Sequence, residues 1–363
     1  MTLLRFAAAF LLLLAFPCSP VLAESGNERP KIGLALSGGG ARGGAHVGIL
    51  KALEELDIPI DYIAGTSMGA IVGGLYAAGY DAAGIETILK EIDWTQAMSD
   101  QPARRDRAMR KKELEAEFLI PFRVGFNRGG VQLPLGLIEG QHLDQVFHEL
   151  LMPVMHVKQF DQLPIPFRAV ATDLVTGEEF VLSQGSLPDS LRASMSVPGV
   201  FAPVRIGDRL LVDGGMSNNL PVSVVREMGA DIVIAVNLNS DIVGKHSPKK
   251  TVATPPESES EEAGSMLQNL KQATRDYSNS IFAHHDKPED APRLFFAITN
   301  AINIVQDRIT RSRLAGDPAE VVLSPRLAHI GMLEFHHALE AIAEGESCVQ
   351  KALTEIHRLL GKI

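Results

Sequence analysis

Cysteine is scarce in this sequence: 363 residues contain only two, Cys18 and Cys348. Cys18 falls in an N-terminal segment that we predict to be removed, which leaves one thiol. One thiol cannot form an internal disulfide, whatever the redox state of the compartment. The fold must therefore be held by its hydrophobic core, and an apolar content of 45% is typical of a globular protein.

Positive charge is also in short supply. The chain has 34 lysine and arginine residues against 44 aspartate and glutamate residues, which gives a formal net charge of -10. Nucleic-acid-binding proteins and proteins with a broadly cationic membrane-binding surface need an excess of basic residues. The composition argues against both classes, and we expect no nucleic-acid partner.

Long apolar runs are absent after residue 23, so the sequence predicts no transmembrane segment in the mature chain. Residues 1–23 have the pattern of a signal peptide. Arg5 precedes an apolar stretch at 7–16 that is too short to span a bilayer, and small residues end at Ala23. We expect cleavage after Ala23 and an exported protein, periplasmic or secreted, with one domain over 24–363.

What the sequence does contain is a serine framed by two glycines, Gly65-Thr66-Ser67-Met68-Gly69. An apolar run at 62–64 precedes it, and an apolar helical run at 70–76 follows it. A serine at a sharp strand-to-helix turn presents its hydroxyl above the sheet, and the glycines let neighbouring backbone pass closely. The pattern predicts a nucleophile elbow with Ser67 as the nucleophile. A small-residue loop without chemistry is the alternative.

A second glycine-rich loop, at 37–44, lies between a predicted strand and a predicted helix. Backbone amides that converge there can bind an anion. Three interpretations fit: a phosphate cradle, an oxyanion hole or a plain tight turn. A Walker loop would end in Gly-Lys-Ser/Thr, which this loop lacks. The candidate oxyanion donors are the amides of Gly38, Gly39, Gly40 and Ala41. Arg42 is a tentative substrate-binding residue, to orient the loop or to meet a phosphate head group.

Asp213 is the candidate base. It follows an apolar strand predicted at 209–212 and precedes Gly214 and Gly215, so it lies where strand ends gather at one edge of an α/β sheet. A serine hydroxyl needs a base within hydrogen-bond reach, and a carboxylate that acts alone must be partly desolvated to gain basicity. A plain Asp-Gly-Gly turn is the alternative.

Histidine is the other familiar base, and the chain has 11. His329, His336 and His337 lie late in the chain, where a triad histidine could fall, but none follows a predicted strand end. His46 lies near the glycine loop and is expected to pack on its helix. A histidine base is therefore the less favoured interpretation.

Predicted strands and helices alternate along the chain, which indicates a mainly parallel sheet covered on both sides. Strands are predicted at 31–36, 58–64, 167–172, 178–183, 209–212, 231–238, 293–298 and 321–323. Helices are predicted at 45–56, 70–78, 81–92, 141–151, 188–196, 220–228, 266–282, 299–314 and 334–363. Other segments are a basic stretch at 103–118, an apolar loop at 133–138 and a low-complexity insertion at about 244–264.

Taken together, the ordered motifs resemble the patatin-like phospholipases, and look most like bacterial proteins akin to the neuropathy-target-esterase catalytic domain. The motifs are the glycine loop at 38–43, the elbow at 65–69, the stretch 193–203 and Asp213-Gly214-Gly215. The resemblance covers nearly the whole mature chain. It implies a three-layer α/β/α patatin-like fold with a mainly parallel central sheet.

The same resemblance implies a Ser67–Asp213 dyad with the glycine loop as the oxyanion hole. The implied reaction is hydrolysis of fatty-acyl esters in phospholipids or lysophospholipids, without a metal or another cofactor, at a transient contact with a membrane surface. Two other functions stay open. A Ser-His-Asp esterase would depend on His336 or His337, and a non-catalytic lipid- or phosphate-binding module would leave Ser67 unreactive.

Overall fold

The computed structural model describes residues 29–97, 125–127, 130–132, 138–243 and 293–361. The domain treated below is the unit that begins at Lys31. Several predicted features lie outside the described residues and stay predictions: the signal peptide at 1–23, the basic stretch at 103–118, the insertion at about 244–264 and the helix at 266–282.

The strands of the described chain form one large sheet and a small hairpin. In chain order they are β1 Ile32–Leu36, β2 Tyr62–Thr66, β3 Gly125–Asn127, β4 Gly130–Gln132, β5 Phe167–Asp173, β6 Glu179–Leu182, β7 Val204–Ile206, β8 Arg209–Asp213, β9 Ile232–Val236 and β10 Val321–Leu323. The large sheet has the order β10-β9-β1-β2-β5-β8-β7, with β6 also paired to β5. Strands β3 and β4 form the hairpin.

The prediction of a mainly parallel sheet is confirmed. Strands β10, β9, β1, β2 and β5 run parallel to their neighbours in that order. Strand β8 pairs antiparallel with β5, and β7 pairs antiparallel with β8. The sheet thus changes from parallel to antiparallel pairing at β5, which pairs with β2 in the parallel direction and with β8 in the antiparallel direction.

Helices cover both faces of the sheet. In chain order the described α-helices are α1 Gly44–Glu55, α2 Met68–Ala77, α3 Ala82–Glu91, α4 Trp94–Ala97, α5 Gln141–Leu150, α6 Leu187–Ser194, α7 Val222–Glu227, α8 Arg293–Gly316 and α9 Ala338–Leu360. Leu34 and Leu36 of β1 enter the larger core cluster, with residues of α1, α2 and α9. Ala35, which points the opposite way on a strand, joins a second cluster with residues of α7. The predicted three-layer α/β/α architecture is confirmed.

Two strand predictions are wrong in detail. Residues 293–298 are not a strand, because α8 begins at Arg293 and continues to Gly316. The apolar run favoured a strand, but no glycine or proline separates it from the helical residues that follow, so nothing interrupts the helix. The second strand starts at Tyr62 rather than 58 because Ile58 still donates its amide to Leu53 at the end of α1.

Three smaller features concern β7, the predicted apolar loop and the hydrophobicity of the described helices. Strand β7 was not predicted, although Gly207 and Asp208 form a two-residue turn that joins it to β8. Ile138, the one described residue of the predicted apolar loop, is buried and bridges to Phe201. Among the described helices, none combines the length and the apolar character that crossing a membrane requires.

Candidate active site

Ser67 stands at a sharp turn between β2 and α2. Its backbone has a positive φ of 53° with ψ of -121°, a conformation that costs a non-glycine residue free energy. The backbone around this turn is closely packed: a Cβ on Gly65 would lie 2.3 Å from the Gly69 carbonyl oxygen, and a Cβ on Gly69 would lie 2.3 Å from the Leu36 carbonyl oxygen. Both glycines are therefore needed where the sequence places them, and the strand–turn–helix order is as predicted.

Ser194, at the end of α6, holds the turn from the side of β5. The Ser67 amide donates to Ser194 Oγ at 2.9 Å, and Ser194 Oγ donates to the Val170 carbonyl oxygen at 2.6 Å. Sequence reasoning assigned Ser194 no role. The signal was present, because Ser194 lies in the 193–203 motif, but a motif does not tell which backbone amide its hydroxyl will meet.

Strand β5 brings Asp213 to the same edge of the sheet as Ser67. Thr66, the last residue of β2, pairs with Val170 of β5, and the next residue, Ala171, pairs with Asp213 of β8. The two candidate residues are 146 positions apart in the chain, and β5 makes them neighbours. The structure therefore unites Ser67 and Asp213, as the sequence predicted.

The Asp213 carboxylate is almost completely buried, at 1% exposure. Burial raises its pKa to about 6, while the Ser67 hydroxyl and the Gly215 amide, which donates to Oδ1 at 2.7 Å, both lower it. Oδ2 has no hydrogen-bond partner among the described residues. The hydroxyl is thus close enough to the carboxylate to favour its ionised form.

The glycine loop offers fewer free amides than predicted. Ala41 donates to the Met332 carbonyl oxygen at 2.8 Å, and Gly38 donates to the Asn219 carbonyl oxygen at 3.2 Å. These two amides cannot also hold an oxyanion, so the prediction is wrong for Gly38 and Ala41 as donors. Within the described chain, the amides of Gly39 and Gly40 donate to no carbonyl oxygen. They are the two candidates that remain.

Arg42 connects the glycine loop to α8 through two hydrogen bonds. Its Nε donates to the Gly39 carbonyl oxygen at 3.0 Å, and its Nη2 donates to Asn303 Oδ1 of α8 at 3.1 Å. Burial lowers the pKa of the guanidinium to about 10, although Asp241 and Glu334 raise it. Both hydrogen bonds commit the guanidinium to groups of the protein itself, so only the orienting half of the Arg42 prediction agrees with the structure.

The sequence profile of the Patatin-like phospholipase family matches residues 34–226, more than half of the chain. The chain belongs to this family. It is 29% identical to an uncharacterized NTE family protein of Mycobacterium bovis, over 93% of this chain and 95% of that protein. It is 35% identical to patatin-like phospholipase domain-containing protein 7 of Mus musculus over 58% of this chain, and spans 14% of that protein. Among solved structures, VipD from Legionella pneumophila is similar at 14% identity and a TM-score of 0.44, over 90% of this chain and 67% of VipD.

Membership of the patatin-like family supports a lipid acyl hydrolase, with a lipid as its substrate. The family resemblance expected from the four ordered motifs is confirmed. The matched residues 34–226 include the glycine loop, the Ser67 elbow, the 193–203 motif and Asp213, so the match covers every candidate site residue.

The histidines that could have served a triad are engaged elsewhere. His329 Nε2 lies 2.7 Å from Glu340 Oε1, and His337 Nδ1 lies 2.9 Å from Glu340 Oε2, all on exposed side chains. His46 is buried on α1, with Nε2 2.8 Å from the Ser37 carbonyl oxygen. Burial lowers the pKa of His46 to about 4, and the hydrogen bond to the Ser37 carbonyl oxygen, which raises the pKa, offsets only part of this effect. The structure therefore places the ring against the start of the glycine loop, whereas the prediction had it packing on its own helix.

One group in the described chain has metal-ligand types: Asp144 and His148 of α5 with Asp189 of α6. One possible ligand atom of each lies within 4.8 Å of the others. His148 Nδ1 is 2.8 Å from the carbonyl oxygen of Asp144, so this nitrogen is used within its own helix. The group includes neither Ser67 nor Asp213, and we assign it no part in the chemistry.

Proposed function

We propose that this protein is a serine lipid acyl hydrolase of the phospholipase or lysophospholipase type, with Ser67 and Asp213 as a catalytic dyad. The observation that carries the proposal is the meeting of a strained serine and a buried carboxylate at one sheet edge, beside two backbone amides that have no partner in the described part of the chain. A serine with an adjacent base is the arrangement that acyl transfer requires.

In the first step, Ser67 Oγ forms a bond to the acyl carbon while its proton passes to Asp213. The negative charge that develops on the ester oxygen is held by the Gly39 and Gly40 amides. Collapse of the intermediate breaks the bond to the alcohol of the lipid, which takes the proton from Asp213. Asp213 then accepts a proton from water as water attacks the acyl carbon, and collapse of this second intermediate breaks the bond to Ser67 Oγ, which takes the proton back from Asp213 as the fatty acid leaves.

Two features of the site match these steps. Removal of one good oxyanion donor typically costs roughly 3 kcal/mol of transition-state stabilisation, so two rigid amides are a plausible main source of rate. An Asp213 pKa of about 6 keeps the carboxylate mostly ionised at neutral pH, yet makes it a stronger base than an exposed aspartate.

Covalent labelling tests the proposal. An organophosphonate ester probe is expected to add to Ser67, and mass spectrometry of the digested protein will locate the adduct. Ser67→Ala should abolish both labelling and turnover of a p-nitrophenyl ester. Asp213→Asn should lower turnover by at least about 1000-fold, because the proton acceptor is lost. Unchanged circular dichroism is the control, and wild-type turnover in either variant would remove the dyad from consideration.

A further inference from the structure

The side chain of Asn219 is a buried polar group without a hydrogen-bond partner. Asn219 follows Asp213 by six residues; its side chain is fully buried, and neither Oδ1 nor Nδ2 has a partner among the described residues. Buried amides are nearly always paired, because an unpaired one loses the hydrogen bonds it made with water. A carboxamide left open on both atoms at 0% exposure therefore needs an explanation.

Asn219 lies between the two halves of the proposed dyad. A methyl group placed on Gly38 would lie 2.7 Å from Asn219 Oδ1 and 3.1 Å from Ser67 Cβ. A methyl group placed on Gly215 would lie 3.0 Å from the same Oδ1 and 2.9 Å from Asp213 Oδ1. The lack of side chains at 38 and 215 thus lets the carboxamide, Ser67 and Asp213 approach one another closely, and at Gly215 the nearest atom to the added carbon is Gln306 Nε2.

The backbone of Asn219 is fixed while its side chain is not committed. Its carbonyl oxygen accepts the Gly38 amide at 3.2 Å, which ties residue 219 to the start of the glycine loop. Because neither side-chain atom is hydrogen-bonded to a described residue, the carboxamide can turn to present its N–H group without breaking a bond seen in the structure.

We propose that the Asn219 carboxamide donates a hydrogen bond to the carbonyl oxygen of the reacting ester, as a third donor beside the amides of Gly39 and Gly40. The inference rests on the proposed acyl hydrolase function and adds a side chain to it. A donor that meets the oxygen only as charge develops there stabilises the transition state more than the bound substrate.

The neighbouring residue supplies a matched control. Asn218 is also fully buried in the same loop, and its Oδ1 likewise has no partner among the described residues, but its Nδ2 donates to Glu179 Oε1 at 2.9 Å. Its side chain is therefore engaged in a structural contact with β6. Asn218→Ala should lower the melting temperature and leave the turnover of the folded enzyme within about twofold of wild type.

The experiment compares Asn219→Ala, Asn219→Asp and Asn218→Ala with wild type at pH 8, on a p-nitrophenyl ester and on the phosphonate probe. Asn219→Ala should lower kcat about 100-fold with KM changed less than about threefold, and should slow labelling of Ser67 by a similar factor. Asn219→Asp keeps the shape but has no N–H donor, and its negative charge repels the oxyanion, so it should lose at least as much.

Each outcome decides one point. Labelling of Ser67 at the wild-type rate in both Asn219 variants would overturn the inference, even if turnover falls, since the residue would then act only on the deacylation step. Equal losses in Asn218→Ala would also overturn it, because the loop would then act as a structural unit. If Asn219→Ala does not fold by circular dichroism, Asn219→Asp decides alone. Failure to label wild-type Ser67 would instead refute the proposed function.

Discussion

At the scale of single residues, two opposing effects set the pKa of Asp213. Burial makes its carboxylate more basic by removing it from water, while the Gly215 amide and the Ser67 hydroxyl favour the charged form. The balance raises the pKa to about 6 and still leaves the group ionised at neutral pH. In the proposed mechanism, this carboxylate takes the proton from Ser67 directly, without a histidine between them.

The raised pKa of Asp213 predicts that the activity falls at acid pH. Because the base must be ionised, kcat/KM of the wild-type enzyme on a neutral ester should fall about tenfold per pH unit below about pH 6 and be flat above it. A neutral p-nitrophenyl ester separates this effect from ionisation of the substrate. A limb near pH 4, the range of an exposed aspartate, would contradict the assignment.

At the scale of elements, the elbow depends on contact between β1, β2 and the start of α2. An alanine at 69 would place its methyl carbon 2.3 Å from the Leu36 carbonyl oxygen and 2.6 Å from that of Ser37. Both atoms belong to backbone, so they cannot move aside without shifting β1. We predict that Gly69→Ala unfolds the protein or lowers its free energy of unfolding by about 3 kcal/mol or more.

A matched substitution is available at the end of α8. A Cβ placed on Gly316 would have no neighbouring atom within 4 Å, and the backbone of Gly316 does not have a positive φ. Gly316→Ala should leave the stability unchanged or raise it by a few tenths of a kcal/mol, since alanine favours a helix over glycine. Chemical denaturation of both variants checks the pair. Similar free energies of unfolding for the Gly69→Ala and Gly316→Ala proteins would mean that the elbow tolerates a side chain at position 69.

Element boundaries show what the sequence could predict. The elbow, the glycine loop and the apolar strands β1 and β9 were predictable because glycine and apolar runs act locally. The helical state of residues 293–298 was not, because a short apolar run fits a strand as well as a buried helix when periodicity alone is considered. Nor does any local pattern reveal that Asn303 of α8 would accept a hydrogen bond from Arg42, and Gln306 one from Asn239.

At the scale of the whole molecule, the buried charge of Asp213 costs stability. A raised pKa in the folded state means that the proton stabilises the fold below the unfolded pKa of 3.8, and that this contribution is lost as pH rises through about 6. Wild type should therefore lose on the order of 3 kcal/mol of unfolding free energy relative to Asp213→Asn between pH 4 and 7. Urea denaturation at several pH values measures the difference. A difference that stays constant with pH would show that Asp213 titrates normally.

Export is the other prediction that concerns the whole chain. The pattern of Arg5, the apolar stretch at 7–16 and the small residues before Glu24 predicts removal of residues 1–23. N-terminal sequencing of protein recovered from expressing cells should read from Glu24. A product that still begins at Met1, or that stays entirely in the cytosolic fraction, would contradict the prediction.

The sequence by itself determined the chemistry that is available: a serine between two glycines, a glycine-rich loop, an aspartate at a strand end, and an alternation of strands and helices. These signals are local, because each depends on residues within a few positions of one another. Only the tertiary structure decided that β5 joins Ser67 to Asp213, that Gly38 and Ala41 have no free amide, and that Arg42 is buried. Pairing between distant strands and the burial of a side chain depend on the whole sheet, so no single segment encodes them.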